Sequence, residues 1–526
     1  MAVAAPHHSV RAPRWMVATA DHLATQAGLA ALVQGGNAVD AAIAANAAIA
    51  VTGPHLCGMG GDLFALVVLP GGQVYCLNSS GRAGSGADAA AMRAEGLEAM
   101  PFRHDIRSVT VPGCVDGWVA LHQRYGRLPL ATVLAPAIAL ADGGFPASPL
   151  LVGSASMLDD AGRANLQELA GQARRPGAAV RRPGVARALR AVADGGRDAF
   201  YLGEFGEGLR TLGRGWFSEQ DLARSQADWV TPLQATAWGH ELWTVPPNSQ
   251  GYLTLGAAAL ASEHLELPAD PDDDHWAHLL VEAATAAGYD RPAVLHEHAD
   301  GDALLAAIAA RARMVDPQNA SRRPLPGNDG DTTYLCTADA GGMAVSLIQS
   351  NASGFGSWLA EPSTGINLHN RGLGFSLQAG HPAELRAGAR PPHTLSPAAA
   401  TRNGRPAAVF GTMGGDGQPQ ILLQLAARLF LHQQSPAQAI HAGRWVLRGP
   451  VTGFDTWTAP SGPVLQVEGN APADWPEALA ARGHDVQRVA PYDSAFGHAH
   501  VILRDDDGFW AGAADPRARV ASAAGG

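Results

Sequence analysis

The chain has 526 residues, 47% of them hydrophobic, and a formal net charge of −11 from 37 basic and 48 acidic residues. The hydrophobic fraction allows a large core, and an acidic chain without a basic run argues against nucleic acid or an anionic membrane as a partner. The four cysteines have no CxxC spacing, so neither a zinc site nor a disulfide framework is predicted. Without an apolar signal region or a bilayer-length apolar run, we expect a cytoplasmic protein.

The first elements of the chain are predicted to be scaffold. Residues 16–20 are typical of a short strand, and 22–34 of a helix. Asn37 and Asp40 resemble a capping box at the start of a second helix. That helix, 38–51, is almost entirely Ala, Ile and Val and has no polar face, so it is predicted to be buried on all sides.

A glycine-dense loop at 55–62 leads into predicted strands at 63–69 and 73–77. The loop lacks the GxxxxGK[ST] pattern, so phosphate binding is not favoured. From 90 to about 240 the pattern is mainly helical. The acidic run 270–274 indicates a solvated approach to a helix and not a calcium loop, because ligand-spaced residues do not surround it.

A predicted hairpin dominates the second half. Residues 321–330 form a loop rich in Pro, Gly, Asn and Asp, and 331–339 then alternate as a strand does. A turn at 340–342 leads to a second strand, 343–350. The hairpin therefore begins with a hydroxyl residue, Thr332, at the mouth of an exposed loop.

Further strands are predicted at 406–412, 498–504 and 508–513, with a helix at 419–430. Strands in both halves, with helices between them, favour two sheets packed face to face and covered by helices.

Three stretches, 35–42, 331–339 and 411–417, resemble the γ-glutamyltranspeptidase family, and the likeness covers nearly the whole chain. Members of that family are precursors that cut themselves before a threonine, which becomes the catalytic N-terminal nucleophile. The resemblance implies an α+β fold, the four-layer αββα sandwich of N-terminal-nucleophile (Ntn) hydrolases. It also implies cleavage between Asp331 and Thr332 into a large segment, 1–331, and a small segment, 332–526, intertwined in one structural domain.

Such a cut would make Thr332 chemically competent. A threonine hydroxyl is a poor nucleophile and needs a nearby base, and a freed α-amine, with a reference pKa of about 7.7 to 8.0, is such a base. The alternative is that Thr332 and Thr333 merely begin a β-strand, where threonine is common.

The resemblance implies two further catalytic positions. Gly414 and Gly415 stand where the family has the turn that forms its oxyanion hole, and backbone N–H groups suit that role. Ser350 matches a family threonine that helps to orient the nucleophile. The alternatives are a glycine turn needed for chain reversal and a serine with only local hydrogen bonds.

The residues expected to recognise the substrate differ from the family pattern around position 374 and at 393–394. Gly374 occupies the position of the acidic residue with which the family holds the substrate α-amine. His393 and Thr394 occupy the positions of two adjacent serines of the family. Arg371 instead adds positive charge, which suits a carboxylate that lacks an α-amine. Arg371, His393 and Thr394 are thus candidate substrate-binding residues; a surface arginine and a loop histidine are the alternative.

Two other recognition positions are also altered. The family asparagine falls at Ala352, with Asn351 next to it, and the family arginine falls near Ser80, with Arg82 two residues along. Asn351 and Arg82 are the remaining candidates for substrate binding.

Together these features resemble the oxamate amidohydrolase-like branch of the family. The resemblance implies an enzyme that cleaves a small carboxylate-bearing amide through an acyl-threonine intermediate. Hydrolysis of that intermediate and transfer of its acyl group are both left open. The alternatives are a true γ-glutamyltransferase or glutathione hydrolase, and an uncleaved carboxylate-binding homologue. No cofactor or metal is expected, because the pairs His296/His298 and His498/His500 have no third ligand nearby in sequence. The expected partners are the small-molecule amide and the two segments of one precursor, with a homodimer left open.

Overall fold

The structure is a computed structural model that describes residues 8–321, 332–449 and 463–526. Asp331, on the amino-terminal side of the expected cut, lies outside the described residues. Elements are numbered in chain order. The strands are β1 (Val10–Ala12), β2 (Met16–Thr19), β3 (Asp62–Val68), β4 (Val74–Ser79), β5 (Phe145–Pro146), β6 (Ala179–Val180), β7 (Asp228–Val230), β8 (Leu233–Ala237), β9 (His240–Thr244), β10 (Thr333–Ala338), β11 (Ala344–Ser350), β12 (Leu359–Ala360), β13 (Asn367–Leu368), β14 (Ala398–Arg402), β15 (Arg405–Thr412), β16 (Trp445–Arg448), β17 (Val464–Glu468), β18 (Val486–Val489), β19 (Ala499–Arg504), β20 (Trp510–Ala514) and β21 (Ser522–Gly525).

The helices fall into groups before, between and after these strands. They are α1 (His22–Val33), α2 (Ala38–Thr52), α3 (Ala89–Ala94), α4 (Cys114–Tyr125), α5 (Leu130–Gly143), α6 (Pro149–Ser156), α7 (Asp160–Asn165), α8 (Gln167–Gln172), α9 (Pro183–Tyr201), α10 (Glu204–Gly213), α11 (Glu219–Ala223), α12 (Tyr252–His264), α13 (Asp274–Gly288), α14 (Arg291–Val294), α15 (Gly301–Ala309), α16 (Gln418–Ala426), α17 (Pro436–His441) and α18 (Trp475–Ala481). Among the described residues, no helix is both long and apolar enough to cross a membrane.

Two seven-stranded sheets organise the chain. The first sheet has the order β21-β2-β10-β11-β3-β4-β7, and the second has the order β1-β20-β19-β15-β14-β9-β8. The strand pairings within both sheets are antiparallel. Both sheets combine strands that precede Thr332 with strands that follow it.

The sheets pack face to face, and helices cover their outer faces. Along β10 the side chains alternate, as they do in any strand: Leu335 packs in a core with α2, whereas Tyr334 and Cys336 pack in the core between the sheets. Phe410, in the second sheet, packs in a third core with α12 and α16. This arrangement is the four-layer αββα sandwich that the resemblance implied.

The second helix, α2, confirms its prediction. All of its residues are buried, and the Asn37 side chain accepts hydrogen bonds from the backbone N–H groups of Val39 and Asp40, each at 3.0 Å. Asp40 completes the capping box by accepting from the Asn37 N–H, also at 3.0 Å. The long helix predicted at 419–430 is α16 followed by a π-helical turn, Ala427–Leu431.

Candidate active site

The hairpin of β10 and β11 sets the position of Thr332. Thr333 pairs with Gln349 in the antiparallel register, so Thr332 lies opposite Ser350 at the open end of the hairpin. Thr332 is only 1% exposed, and its hydroxyl donates a hydrogen bond to Ser350 Oγ at 3.1 Å. The expected nucleophile and its expected orienting residue are thus in contact.

Ser350 Oγ accepts from two further donors. The Ala352 N–H lies 2.8 Å away and the Arg371 Nη2 lies 3.2 Å away. A buried hydroxyl held by several donors has little rotational freedom, so Ser350 presents its oxygen to Thr332 in a defined orientation.

Arg371 links this cluster to Thr394. It belongs to a short 3₁₀ turn (Arg371–Gly374), is 1% exposed, and donates from Nη1 to Thr394 Oγ1 at 2.9 Å. Burial lowers the pKa of Arg371 to about 10, against the opposing effect of the Asp62 and Asp416 carboxylates. The guanidinium therefore remains a buried cation at neutral pH, two hydrogen bonds away from Thr332 Oγ1.

A cavity of about 450 Å³ opens beside Arg371. Its charged lining groups include the two guanidinium groups of Arg371 and Arg291 and one carboxylate, on the exposed residue Glu98. The other lining residues are Ala99, Pro292, Leu295, Ala352, Asn370, Leu373, Gly374, Phe375, Ser376, Leu377, Gln378, His381, Ala383, Pro392 and Thr394. Two arginines in a partly apolar cavity favour a ligand that carries an anionic group.

Arg291 was not among the residues found from the sequence. It begins α14, and its Nη2 lies 3.4 Å from Oδ1 of the buried Asp416 in the glycine turn. The surrounding sequence is a helical stretch without a catalytic motif, so no local signal marks this residue. Only the packing of α14 beside the turn brings it into the cavity.

The glycine turn at 413–417 joins β15 to α16. Gly414 and Gly415 have φ values of 134° and 52°, a region that favours glycine. Gln250 holds the turn by donating to the Gly415 and Thr394 carbonyl oxygens, each at 2.9 Å. Among the described residues, the structure gives neither the Gly414 nor the Gly415 N–H a hydrogen-bond acceptor, so both remain candidate donors to an oxyanion.

Gly374, where the family resemblance implies an acidic residue, also lines the cavity. A Cβ atom there would lie 2.3 Å from the Pro392 carbonyl oxygen, which leaves no room for a side chain. The backbone packing is therefore incompatible with an acidic residue at this position. Position 374 thus provides no carboxylate to pair with a substrate α-ammonium group.

His393 lies behind the cavity and not in its lining. It is fully buried, its Nε2 donates to Asp62 Oδ2 at 3.2 Å, and its Nδ1 accepts from the Leu395 N–H at 3.3 Å. Burial and the nearby Arg371 lower the pKa of His393 to about 3, so the ring is neutral. Burial alone would raise the pKa of Asp62, but His369, His393 and Arg371 lower it to about 2.

Two other predicted binding residues lie elsewhere. Arg82 pairs with Asp228 at 2.5 Å and lines a separate cavity of about 540 Å³ that Arg390 also lines. The Asn351 side chain donates to the Pro54 carbonyl oxygen at 3.1 Å, and Asn351 is not among the residues that line the Arg371 cavity. The structure therefore brings together Thr332, Ser350, Arg371 and Thr394, but not Arg82 or Asn351.

The chain is similar to known proteins over nearly its whole length. The gamma-glutamyltranspeptidase family profile matches residues 24–525. An oxamate amidohydrolase proenzyme of Klebsiella pneumoniae is 37% identical over 98% of this chain and 99% of its own length. A glutathione hydrolase-like proenzyme of Bacillus subtilis, YwrD, is 34% identical over 97% of this chain and 98% of its own.

A solved structure shows the same likeness at the level of the fold. The cephalosporin acylase of Bacillus halodurans superposes with a TM-score of 0.89 at 34% identity, covering 100% of this chain and 98% of that chain. The Ntn fold prediction is thereby confirmed. With a family profile and relatives that each span nearly all of its length, this chain belongs to the gamma-glutamyltranspeptidase family.

Proposed function

We propose that the chain cuts itself between Asp331 and Thr332 and then uses Thr332 to hydrolyse a small amide that carries a carboxylate. In the first step Thr332 Oγ attacks the amide carbonyl while the freed α-amine takes the hydroxyl proton. The N–H groups of Gly414 and Gly415 stabilise the oxyanion. The amine product leaves with the proton, and water then attacks the acyl ester and releases the acid.

The observation that carries this proposal is the position of Arg371. Its Nη2 lies 3.2 Å from Ser350 Oγ, which lies 3.1 Å from Thr332 Oγ1. If the carboxylate of a substrate binds to Arg371, an amide carbonyl only a few bonds from that carboxylate therefore lies beside the nucleophile. This supports short substrates such as oxamate, in which the carboxylate and the amide carbonyl are directly bonded.

The lining of the cavity also supports a substrate without an α-amine. The Pro392 carbonyl occupies the space that an acidic side chain at position 374 would need. The second guanidinium, Arg291, also lines the cavity, and the buried Asp416 partly balances its charge. The acidic residue that lines the cavity, Glu98, is exposed to solvent, so a γ-glutamyl group, whose ammonium needs a desolvated acidic partner, suits this cavity less well than a simple carboxylate.

Processing is tested on the purified chain by a denaturing gel and intact-mass measurement. The wild type is expected to give two polypeptides, 1–331 and 332–526, and Thr332→Ala a single inactive chain. Thr333→Val is the matched control, because Thr333 is the adjacent buried threonine and no described partner binds its hydroxyl. A single uncut wild-type chain that still turned over substrate would falsify the mechanism.

Substrate class is tested on the processed protein with oxamate, γ-glutamyl anilide and a neutral acyl amide. We expect kcat/KM to be highest for oxamate and lowest for the γ-glutamyl compound. Preference for the γ-glutamyl compound would support the glutathione hydrolase alternative. Thermal stabilisation by carboxylates without turnover, in a chain of full mass, would support the binding-protein alternative.

The cytoplasmic location and the homodimer stay predictions.

A further inference from the structure

A second cluster of ionisable side chains lies outside the cavity of Arg371, on α13. His278 and Glu282 are one helical turn apart, so their side chains share a face. His484, which follows α18, approaches the same face, and its Nε2 lies 2.9 Å from His278 Nδ1. The ligand atoms of these three residues all lie within 4.8 Å of one another.

The orientation of His278 suits a metal ligand. Its Nε2 donates to the Asp316 carbonyl oxygen at 2.9 Å, so its Nδ1 carries the lone pair, which accepts from His484 Nε2 at 2.9 Å and which a metal ion would use instead. A metal-bound histidine usually makes this kind of hydrogen bond with its other ring nitrogen.

We propose that His278, Glu282 and His484 bind one divalent transition-metal ion, with zinc as the first candidate. Two imidazole nitrogens and one carboxylate suit zinc, with water in the fourth position, whereas calcium and magnesium prefer oxygen ligands. Two nitrogens bound tetrahedrally to zinc lie about 3.3 Å apart, given Zn–N distances of about 2.0–2.1 Å. For both nitrogens to bind the ion, the ring proton of His484 moves from Nε2 to Nδ1, and the pair at 2.9 Å opens by a few tenths of an ångström.

The ion would stabilise the attachment of the chain at residues 320–321, just before the segment 322–331. Glu282 accepts hydrogen bonds from the Ser321 N–H at 3.1 Å and the Ser321 hydroxyl at 2.5 Å. The Ala320 N–H donates to the Arg482 carbonyl oxygen at 2.8 Å. An ion held by α13 and His484 would thus reinforce the attachment of the last described residues before Thr332. None of its three ligands lines the Arg371 cavity, and the site does not depend on the proposed cleavage.

The test is zinc binding to the full-length protein after treatment with a chelator, measured by competition with a chromophoric indicator. We expect one zinc ion per chain. Glu282→Gln and His484→Gln should each weaken binding by more than about 100-fold, since even outer-shell changes cost about 10- to 100-fold. His298→Gln is the matched control, because the His298 side chain is 74% exposed and lies outside the cluster, and it should bind zinc as the wild type does.

Cobalt gives a readout that does not depend on the variants. Wild-type protein loaded with Co²⁺ should show visible absorption bands of a four-coordinate site, which zinc displaces. The proposal is overturned if the wild type binds no stoichiometric zinc and shows no such bands. It is also overturned if both cluster variants bind as tightly as the wild type, or if His298→Gln loses as much affinity as His484→Gln.

Discussion

Arg371 connects the proposed binding site to the proposed nucleophile. Its two terminal nitrogens donate to Thr394 and Ser350, and Ser350 in turn accepts from Thr332. A buried guanidinium in this position can both bind a carboxylate and hold Ser350 in place. These two roles make different predictions.

Arg371→Met should lower kcat/KM for oxamate by about 10- to 100-fold, because a hydrogen bond to a charged group contributes about 1.5–3 kcal/mol. Arg371→Lys should lower kcat/KM for oxamate by a smaller factor, since lysine keeps the positive charge but not the paired N–H donors of arginine. The measurement is steady-state kinetics on protein whose processing has been verified by mass. A neutral acyl amide is the control substrate and should be affected much less. Equal losses on both substrates would assign Arg371 to positioning Ser350 and not to binding the carboxylate.

His393 links stability to pH. Its folded-state pKa of about 3 lies below the reference value of 6.5, so between these pH values the unfolded chain binds more protons than the folded one. Stability is therefore lost as pH falls below 6.5, by up to about 1.4 kcal/mol per pH unit for this one group. The Asp62 pKa is also lowered, from 3.8 to about 2, so its contribution is present above about pH 4 and is lost on further acidification.

His393→Gln keeps a donor for Asp62 but cannot titrate, so the fall in unfolding midpoint between pH 6 and pH 4 should be shallower than in the wild type. Urea or thermal unfolding at several pH values measures the slope. His298→Gln is the control, because the His298 side chain is 74% exposed, and it should leave the slope unchanged. An unchanged slope in His393→Gln would mean that His393 does not stay neutral in the folded protein.

Short connecting elements, more than the long helices, determine the shape of the site. The hairpin register brings Thr332 to Ser350, the turn between β15 and α16 presents two glycine N–H groups, and the turn at Arg371–Gly374 packs under Pro392. The backbone of each of these elements sets the position of a residue or N–H group of the candidate site.

Gly374→Ala tests the last of these contacts. The new Cβ would meet the Pro392 carbonyl oxygen at 2.3 Å, so the 391–394 segment must shift and Thr394 must shift with it. We expect a loss of about 1–3 kcal/mol in stability and a higher KM for oxamate. Gly153→Ala is the matched control: Gly153 lies within α6, where a Cβ would meet nothing within 4 Å, and the change should stabilise the protein by about 0.5–1 kcal/mol. Thermal unfolding and kinetics on both variants distinguish local crowding from a general effect of alanine.

At the scale of the whole molecule, the two proposed segments share both sheets. Strands on opposite sides of Thr332 pair as β1 with β20, β2 with β10 and β21, β3 with β11, and β9 with β14. Separating the segments would break these pairings and expose the core between the sheets.

The cleaved protein should therefore behave as one body. Segments 1–331 and 332–526 are expected to co-elute in size-exclusion chromatography under native conditions and to unfold in a single thermal transition. They should separate only in denaturant. Dissociation of the two polypeptides in native buffer would contradict the shared sheets.

The sequence alone determined the features that depend on neighbouring residues. The capping box of Asn37 and Asp40, the buried helix α2 and the hairpin that begins after Thr332 all follow from local patterns, because caps, apolar periodicity and strand alternation act within a few residues. The family motifs extended this to the αββα fold and to Thr332, Gly414 and Gly415 as candidates.

Only the tertiary structure decided which distant side chains meet. Arg291 joins Arg371 in the cavity although about 80 residues lie between them, while Arg82 is paired with Asp228 beside a different cavity. His393 turns towards Asp62, and Gly374 is held against Pro392. These contacts depend on how sheets and helices pack, and a short stretch of sequence carries no information about the distance between side chains that only the folded core brings together.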